Sequence, residues 1–388
     1  MNRSALRAVG PAIATSSVAV LPVPLLGGLA ILLQDDLGFG EAQLGIVIAA
    51  FFAAAAVSAA PAGRLSEVLG PRRVAWVGLG CIAVSLLGIA WVAQSWVWLG
   101  AFLALAGIGH ATAILAVGVL LTRAVTERRH GLAFGLAQAA APLAALLAGL
   151  ALPVIGLTVG WRIAFMAAAL LSLVVAALLP PASVRHGQRV IQTAQDAPLS
   201  ALLPLAAGMA LASACANSST VFLVSSIVDR GIPPAGAGLI LALASLVGLI
   251  VRVVGGWLGD TLRHGSLTLI TCLLAAGAAG YLGLAHEQDP ALVAASAMLA
   301  LGGGWGWPGL MLLAVSRSNP AAPGAAMGVV TLGGLSGAVV GPPVFGAIAE
   351  QVAFGSAWIA LAVLAAAAIV LILVSRRRIL FARPGLPT

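Results

Sequence analysis

Lysine is absent from this chain, and all nineteen basic residues are arginine. Acidic residues number eleven, there is one tyrosine, and only 8% of the 388 residues carry charge. Soluble domains carry about 25% charged residues, so a water-facing globular surface is excluded. Disorder is excluded too, because it needs charge and low hydrophobicity. The net charge of +8 invites a nucleic-acid reading. The arginines, however, fall singly or in small groups between apolar runs and not along one helical face, which argues against a nucleic-acid partner. Cys81, Cys215 and Cys272 lie in separate apolar segments. Three isolated cysteines supply neither a disulfide framework nor a metal site and read as small buried residues. There is no Ser/His/acid cluster, phosphate-binding loop or His/Cys/carboxylate set. No stretch is long and polar enough to form a nucleotide-binding domain. The reading is a non-enzyme without metal or cofactor.

What is present is apolar length. Hydrophobic residues make up 61% of the chain, and the mean hydropathy is +1.12. Runs of about 20 residues, the length of a membrane span, occur at 11–33, 42–62, 74–93, 97–121, 131–153, 161–179, 201–227, 235–257, 266–285, 291–313, 324–347 and 356–375. Each is long and lacks strand alternation, so the predicted fold class is all-α integral membrane, with about twelve transmembrane helices. Arg3 and Arg7 precede a first run too long for a signal peptide, which reads as an uncleaved helix. The longest connector, Pro180 to Ser200, divides the chain into an N-terminal six-helix bundle (1–180), a linker (181–200) and a C-terminal six-helix bundle (201–388).

Orientation follows from the arginines. With the N-terminus in the cytoplasm, sixteen of them fall on the inside, including Arg64, Arg72, Arg73 and Arg376 to Arg378. Only Arg162 and Arg230 fall outside, together with Asp35, Asp36, Glu41, Glu287 and Asp289. Both termini are therefore expected in the cytoplasm and the chain in the inner (plasma) membrane.

The charge between the second and third runs is concentrated in GRLSEVLGPRR, residues 63–73. A counterpart, GWLGDTLRHG, begins at Gly256, 193 residues later. That offset pairs Gly63 with Gly256, Leu65 with Leu258 and Glu67 with Asp260. It also pairs Asp36 with Asp229, Gly38 with Gly231, Gly45 with Gly238, Gly131 with Gly324 and Gly135 with Gly328. Matches at one offset on both sides of the linker indicate a duplicated six-helix unit, and two parallel halves enclosing a site are a transporter architecture.

On these residues the whole chain resembles the major facilitator superfamily. That family's loop between helices 2 and 3 is matched by Gly63, Leu65, Ser66, Gly70, Arg72 and Arg73. Departures fall at Glu67, where Asp is usual, at Val68, where a basic residue is usual, and at Pro71. The GWRIAF stretch at 160–165 is also similar to the family. The resemblance implies two pseudo-symmetric bundles that alternate access across the bilayer. It also implies a cytoplasmic gate built on Gly63, Leu65, Glu67, Gly70, Arg72, Arg73, Gly256, Leu258 and Asp260.

Ionisable groups inside a span are functional candidates because they are costly there. No Asp or Glu lies in the middle of a span. Arg252 does, in LIVRVVGG, and its counterpart 193 residues earlier is Ala59. An arginine here can grip a carboxylate bidentately, brace a gate or snorkel to the membrane face. Branches of the superfamily that carry monocarboxylates or oxalate and formate place an arginine similarly, which implies a substrate-anion ligand. His110 can relay protons, donate to substrate or serve structure. Gln138 and Asn217 suit either a central cavity or bonds between helices. Trp305 and Trp307 sit in GGGWGWPG, where the glycines and Pro308 predict a bend. The arginine that drug–proton antiporters carry in helix 4 is absent; Leu103 stands there. The expectation is a monomeric secondary transporter in the lipid bilayer that moves a small-molecule substrate, leaning to an organic anion held by Arg252. His110 or the substrate itself would carry any coupling proton. The alternative is efflux of drugs or metabolites.

Overall fold

The structure is a computed structural model and describes residues 3–124, 138–179, 199–261, 265–319 and 323–382. Among the described residues the chain is helical throughout, with no strand. In hydrocarbon every backbone donor and acceptor must be paired within the segment, which a helix achieves alone. Twelve rods follow in order. α1 runs Arg3–Val20, Pro22–Gly28 and Ala30–Leu37, α2 is Glu41–Leu69, α3 is Pro71–Trp91 and α4 is Trp96–Ala124. α5 is Ala140–Ala151 with a π turn at Leu152–Gly156 and a last turn at Leu157–Val159, and α6 is Trp161–Ala177. α7 is Leu199–Asp229, α8 Pro234–Thr261 and α9 Ser266–His286. α10 comprises Pro290–Trp305 and Pro308–Ser318, α11 is Pro323–Gln351 and α12 is Phe354–Ala382. Each of the twelve expected segments is helical in its described part. Ten helices are long and apolar enough to cross a membrane alone. The pair Gly10–Val20 and Pro22–Gly28, bent by 51°, makes an eleventh if taken as one span, and Trp161–Ala177 is a shorter apolar helix.

The breaks have local causes. Pro22 and Pro24 remove two donors from α1, and proline interrupts the helical ladder. Pro153 does the same in α5, as the second residue of the π turn. α10 breaks between Trp305 and Pro308, where the sequence predicted a bend. A further difference concerns the GRLSEVLGPRR stretch. It is no loop: α2 continues through Leu69, and the turn is Gly70 alone, with Pro71 starting α3. Gly70 has φ +83°, a region glycine enters freely, and Pro71 is pre-set for the first helical position. The linker falls outside the described residues from 180 to 198.

The helices pair in a repeating pattern. α2 packs on α4, α3 on α4 and on α6, and α1 on α5 and α6. The same contacts recur six helices later: α8 on α10, α9 on α10 and on α12, and α7 on α11 and α12. Three contacts join the two sets: α2 with α11, α5 with α8, and α1 with α7. Shifting by six helices exchanges the first two. Gly38 and Gly231, matched at the sequence offset, both have positive φ, +64° and +81°, so the repeat preserves a turn that needs glycine.

Candidate functional site

The helix alternation places Arg64, Arg72, Arg73 and Arg376 to Arg378 at one end of the bundle, and Asp35, Asp36, Glu41, Glu287, Asp289 and Glu350 at the other. At the acidic end the halves touch closely. A Cβ on Gly45 of α2 would lie 2.4 Å from the Pro342 carbonyl of α11, and one on Gly346 would lie 2.2 Å from the Glu41 carbonyl. The Glu350 carboxylate accepts a hydrogen bond from the Ala42 amide at 2.8 Å, so α11 supplies an acceptor to the amino-terminal turn of α2, the kind of group that stabilises exposed helix donors. Asp36 at the end of α1 is held by Arg162 at 2.7 Å and by the Trp161 indole nitrogen at 3.2 Å; both come from the GWRIAF stretch.

The arginine-rich end is different. No described atom lies within 4 Å of a Cβ built on Gly63, Gly324 or Gly328. The gate residues expected from the repeat therefore split. Gly70 makes the α2–α3 turn. Leu65 is exposed, and Arg72 lies over the Trp76 ring at 5.3 Å. Arg73 is exposed, Gly256 is buried and Leu258 is half-buried in α8. The side chains of Glu67 and Asp260 lie outside the described residues.

Between the ends is a cavity of about 230 Å³. Eight helices line it: α1, α2, α4, α5, α7, α8, α10 and α11. Five of the six candidate ligands are on its wall, namely His110, Gln138, Asn217, Trp305 and Trp307. The wall is otherwise mostly apolar, with Phe51, Phe52, Met209 and Leu301, and no acidic side chain among the described residues lines it.

Arg252, the sixth, sits just behind the wall and is 2% exposed. Its Nε donates to the Trp305 carbonyl at 2.8 Å, and its Nη1 donates to the Gln138 carbonyl. The guanidinium lies over the Trp305 ring, 4.5 Å from the centroid, as cation–π attraction favours. Nη2 is buried with no hydrogen-bond partner among the described residues. No acidic side chain among them lies within ion-pair distance of this arginine. It does not snorkel to the membrane face: its atoms are bound inward, to Gln138 just ahead of α5 and to α10.

The other candidates are held in place. Trp305 donates its indole N–H to the Ala216 carbonyl of α7. Trp307 is buried and donates to the Gly304 carbonyl at 2.7 Å, bonding across its own helix break. Asn217 bonds within α7, to the Ser213 carbonyl at 2.8 Å and its hydroxyl at 3.2 Å, and does not bridge helices. The His110 Nδ1 is 3.1 Å from the Ala19 carbonyl of α1. A carbonyl only accepts, so Nδ1 carries the proton and Nε2 is left as the acceptor in the neutral ring. The Phe51 ring packs against it at 5.2 Å.

Sequence reasoning missed Gly149, Glu350 and Ala42. Gly238 was visible in the repeat, but nothing in the sequence tied Glu350 to α2, 308 residues away. The cysteines also differ from expectation: Cys215 is buried, Cys81 half-buried and Cys272 exposed.

The family model of the Major Facilitator Superfamily matches residues 12–286 and 205–384. The chain belongs to that superfamily. Among its superfamily relatives, an uncharacterized MFS-type transporter of Burkholderia pseudomallei (strain 1106a) is 29% identical over 371 residues, covering 90% of this chain and 86% of the relative. An MFS-type transporter of Mycobacterium tuberculosis (strain CDC 1551 / Oshkosh) is 28% identical over 328 residues, with 80% and 72% covered. The fold is similar to that of a bacterial homolog to the human lysosomal transporter Spinster in an inward-facing and occupied conformation. The TM-score is 0.75 at 14% identity, with 99% of each chain covered. As an MFS transporter the protein is a multi-pass membrane protein that handles small molecules. Its central cavity is lined from both helix sets.

Proposed function

We propose that this MFS transporter moves a small organic anion, a carboxylate, by alternating access between a bundle of residues 1–180 and a bundle of residues 201–388. The observation that carries the reading is Arg252. Among the described residues it is the one full charge at the cavity, no acidic side chain lines the wall, and one of its nitrogens has no partner. A buried cation is costly unless paired, and an entering carboxylate supplies the missing charge and acceptor. His110 Nε2, on the opposite side of the repeat, offers an acceptor to a substrate hydroxyl or protonated group.

Cavity size supports a small substrate. At about 230 Å³ it falls below the roughly 300–1,000 Å³ of pockets that hold drug-sized ligands. That argues against efflux of bulky drugs. The arginine-rich end reads as the cytoplasmic face of the inner (plasma) membrane, and the close contacts at the acidic end support a form closed toward the outside.

The test is uptake of labelled acetate, pyruvate, succinate and benzoate into proteoliposomes, with wild type and Arg252→Ala. We expect at least one carboxylate to enter, and the variant to lose at least tenfold. Unchanged uptake in the variant rejects Arg252 as the ligand.

A further inference from the structure

We infer that Arg252 locks the empty carrier, so that the protein exchanges one anion for another and does not release net anion. This rests on the organic-anion reading above.

The guanidinium is shared between the two helix sets. Nε is spent on Trp305 of α10, within its own set. Nη1 crosses to the Gln138 carbonyl, two residues ahead of α5 in the other set. The Trp305 ring covers one face of the group, and the Trp305 indole is itself anchored to Ala216 of α7. The arginine is tied to its own set when the halves move, because the Trp305 carbonyl and ring hold it. In this form it is shut off from water, being 2% exposed.

Alternating access moves α5 relative to α8 and α10. That motion withdraws the Gln138 carbonyl from Nη1. Nη2 already has no partner among the described residues, so the empty carrier would pass through a state with two uncompensated donors on a buried charge. Unpaired buried charge is among the costliest arrangements a protein can hold. No acidic residue among those described on the cavity wall can take over. A carboxylate can, because its two oxygens match the two Nη groups of the planar fork. Bound anion thus neutralises the charge, replaces the Gln138 carbonyl and lets the halves separate. The condition applies in both directions, so each anion delivered must be followed by another on the return.

The geometry also distinguishes lysine from arginine at this position. A lysine is a point donor on a flexible stem and, buried without a partner, gives up its proton far more readily than an arginine. It can bind an anion without holding Trp305 and Gln138 at once.

The experiment uses full-length protein in liposomes loaded with unlabelled acetate, pyruvate, succinate or benzoate, or with none. Entry of the same labelled carboxylate is measured. We expect entry at least tenfold faster into loaded vesicles. Arg252→Lys is expected to narrow that ratio severalfold by letting the empty form return. Binding is followed separately as thermal stabilisation of the purified protein by each carboxylate. Equal entry into loaded and empty vesicles, with stabilisation intact, overturns the exchange inference alone. An Arg252→Lys ratio equal to wild type overturns the lock. Neither stabilisation nor entry with any of the four carboxylates overturns the anion reading itself.

Discussion

Gly149 of α5 and Gly238 of α8 face each other backbone to backbone. A Cβ on either would lie 2.7 Å from the other's carbonyl oxygen. Pro153, four residues after Gly149, has no N–H to give the Gly149 carbonyl, which leaves that oxygen turned toward α8. The pair has a mate at the repeat offset. Gly45 corresponds to Gly238 and Pro342 to Gly149, and Gly45 lies against the Pro342 carbonyl. Two seams of the same design close the acidic end.

A side chain at either glycine must push backbone against backbone, with no flexible tip to yield. Gly149→Val and Gly238→Val are each expected to cost about 1–3 kcal/mol, as overpacking does. The purified variants should melt below wild type. Melting at the wild-type temperature would mean that the helices are not in close contact there.

Glu350 holds the first turn of α2 from the opposite half. Losing a capping acceptor costs about 0.5–2 kcal/mol, and 1.4 kcal/mol is a tenfold change in an equilibrium. With Cys81, Cys215 and Cys272 replaced, a single cysteine at Ser213 in the cavity reports access. Glu350→Ala should speed its labelling by a membrane-impermeant thiol reagent from the acidic end by about twofold to tenfold. Unaltered labelling would mean that the carboxylate does not hold this conformation.

Trp305 makes two separable contributions. Trp305→Phe keeps an aromatic face over Arg252 but loses the N–H bond to Ala216, an interaction worth about 1 kcal/mol. Trp305→Ala loses the ring as well, a further 0.5–2 kcal/mol. Stability should therefore fall in the order wild type, Phe, Ala. Equal melting of the Phe and Ala variants would remove the ring–guanidinium contact from the account.

His110 is expected to matter for α1 as well as for substrate. His110→Leu leaves the Ala19 carbonyl without this donor beside the α1 break, at about 1–3 kcal/mol for an unsatisfied buried group. His110→Gln retains a donor and should recover part of the loss. If the Leu variant is as stable as wild type, the bond to Ala19 carries no structural load.

Much of the fold was legible because membrane helices are written as length and hydropathy, and the repeat was written as glycine and acid at one offset. Gly38 and Gly231 show why such matches persist: both adopt left-handed backbone. The break in α10 could be read from Pro308 and its glycines. The break in α1 was passed over, although Pro22 and Pro24 stood in plain view, because the apolar run continues through them. The cavity candidates were found by a simple rule, polar groups inside apolar spans, and five of the six line it. What the rule could not supply was pairing. That Arg252 reaches Gln138, and Glu350 reaches Ala42, depends on how distant helices cross, and a single chain carries no local signal of that.

The glycines at the arginine-rich end have a bearing on how this protein should be screened. Gly63, Gly324 and Gly328 touch nothing described in this form, so a larger residue at any of them meets no resistance here. Melting measurements on this form would pass such variants as silent. On the alternating-access reading proposed above, the opposite conformation brings those surfaces together, and turnover is expected to fall. At these positions thermostability and activity report on different structures of the same chain, and a screen built on the first is blind to defects in the second.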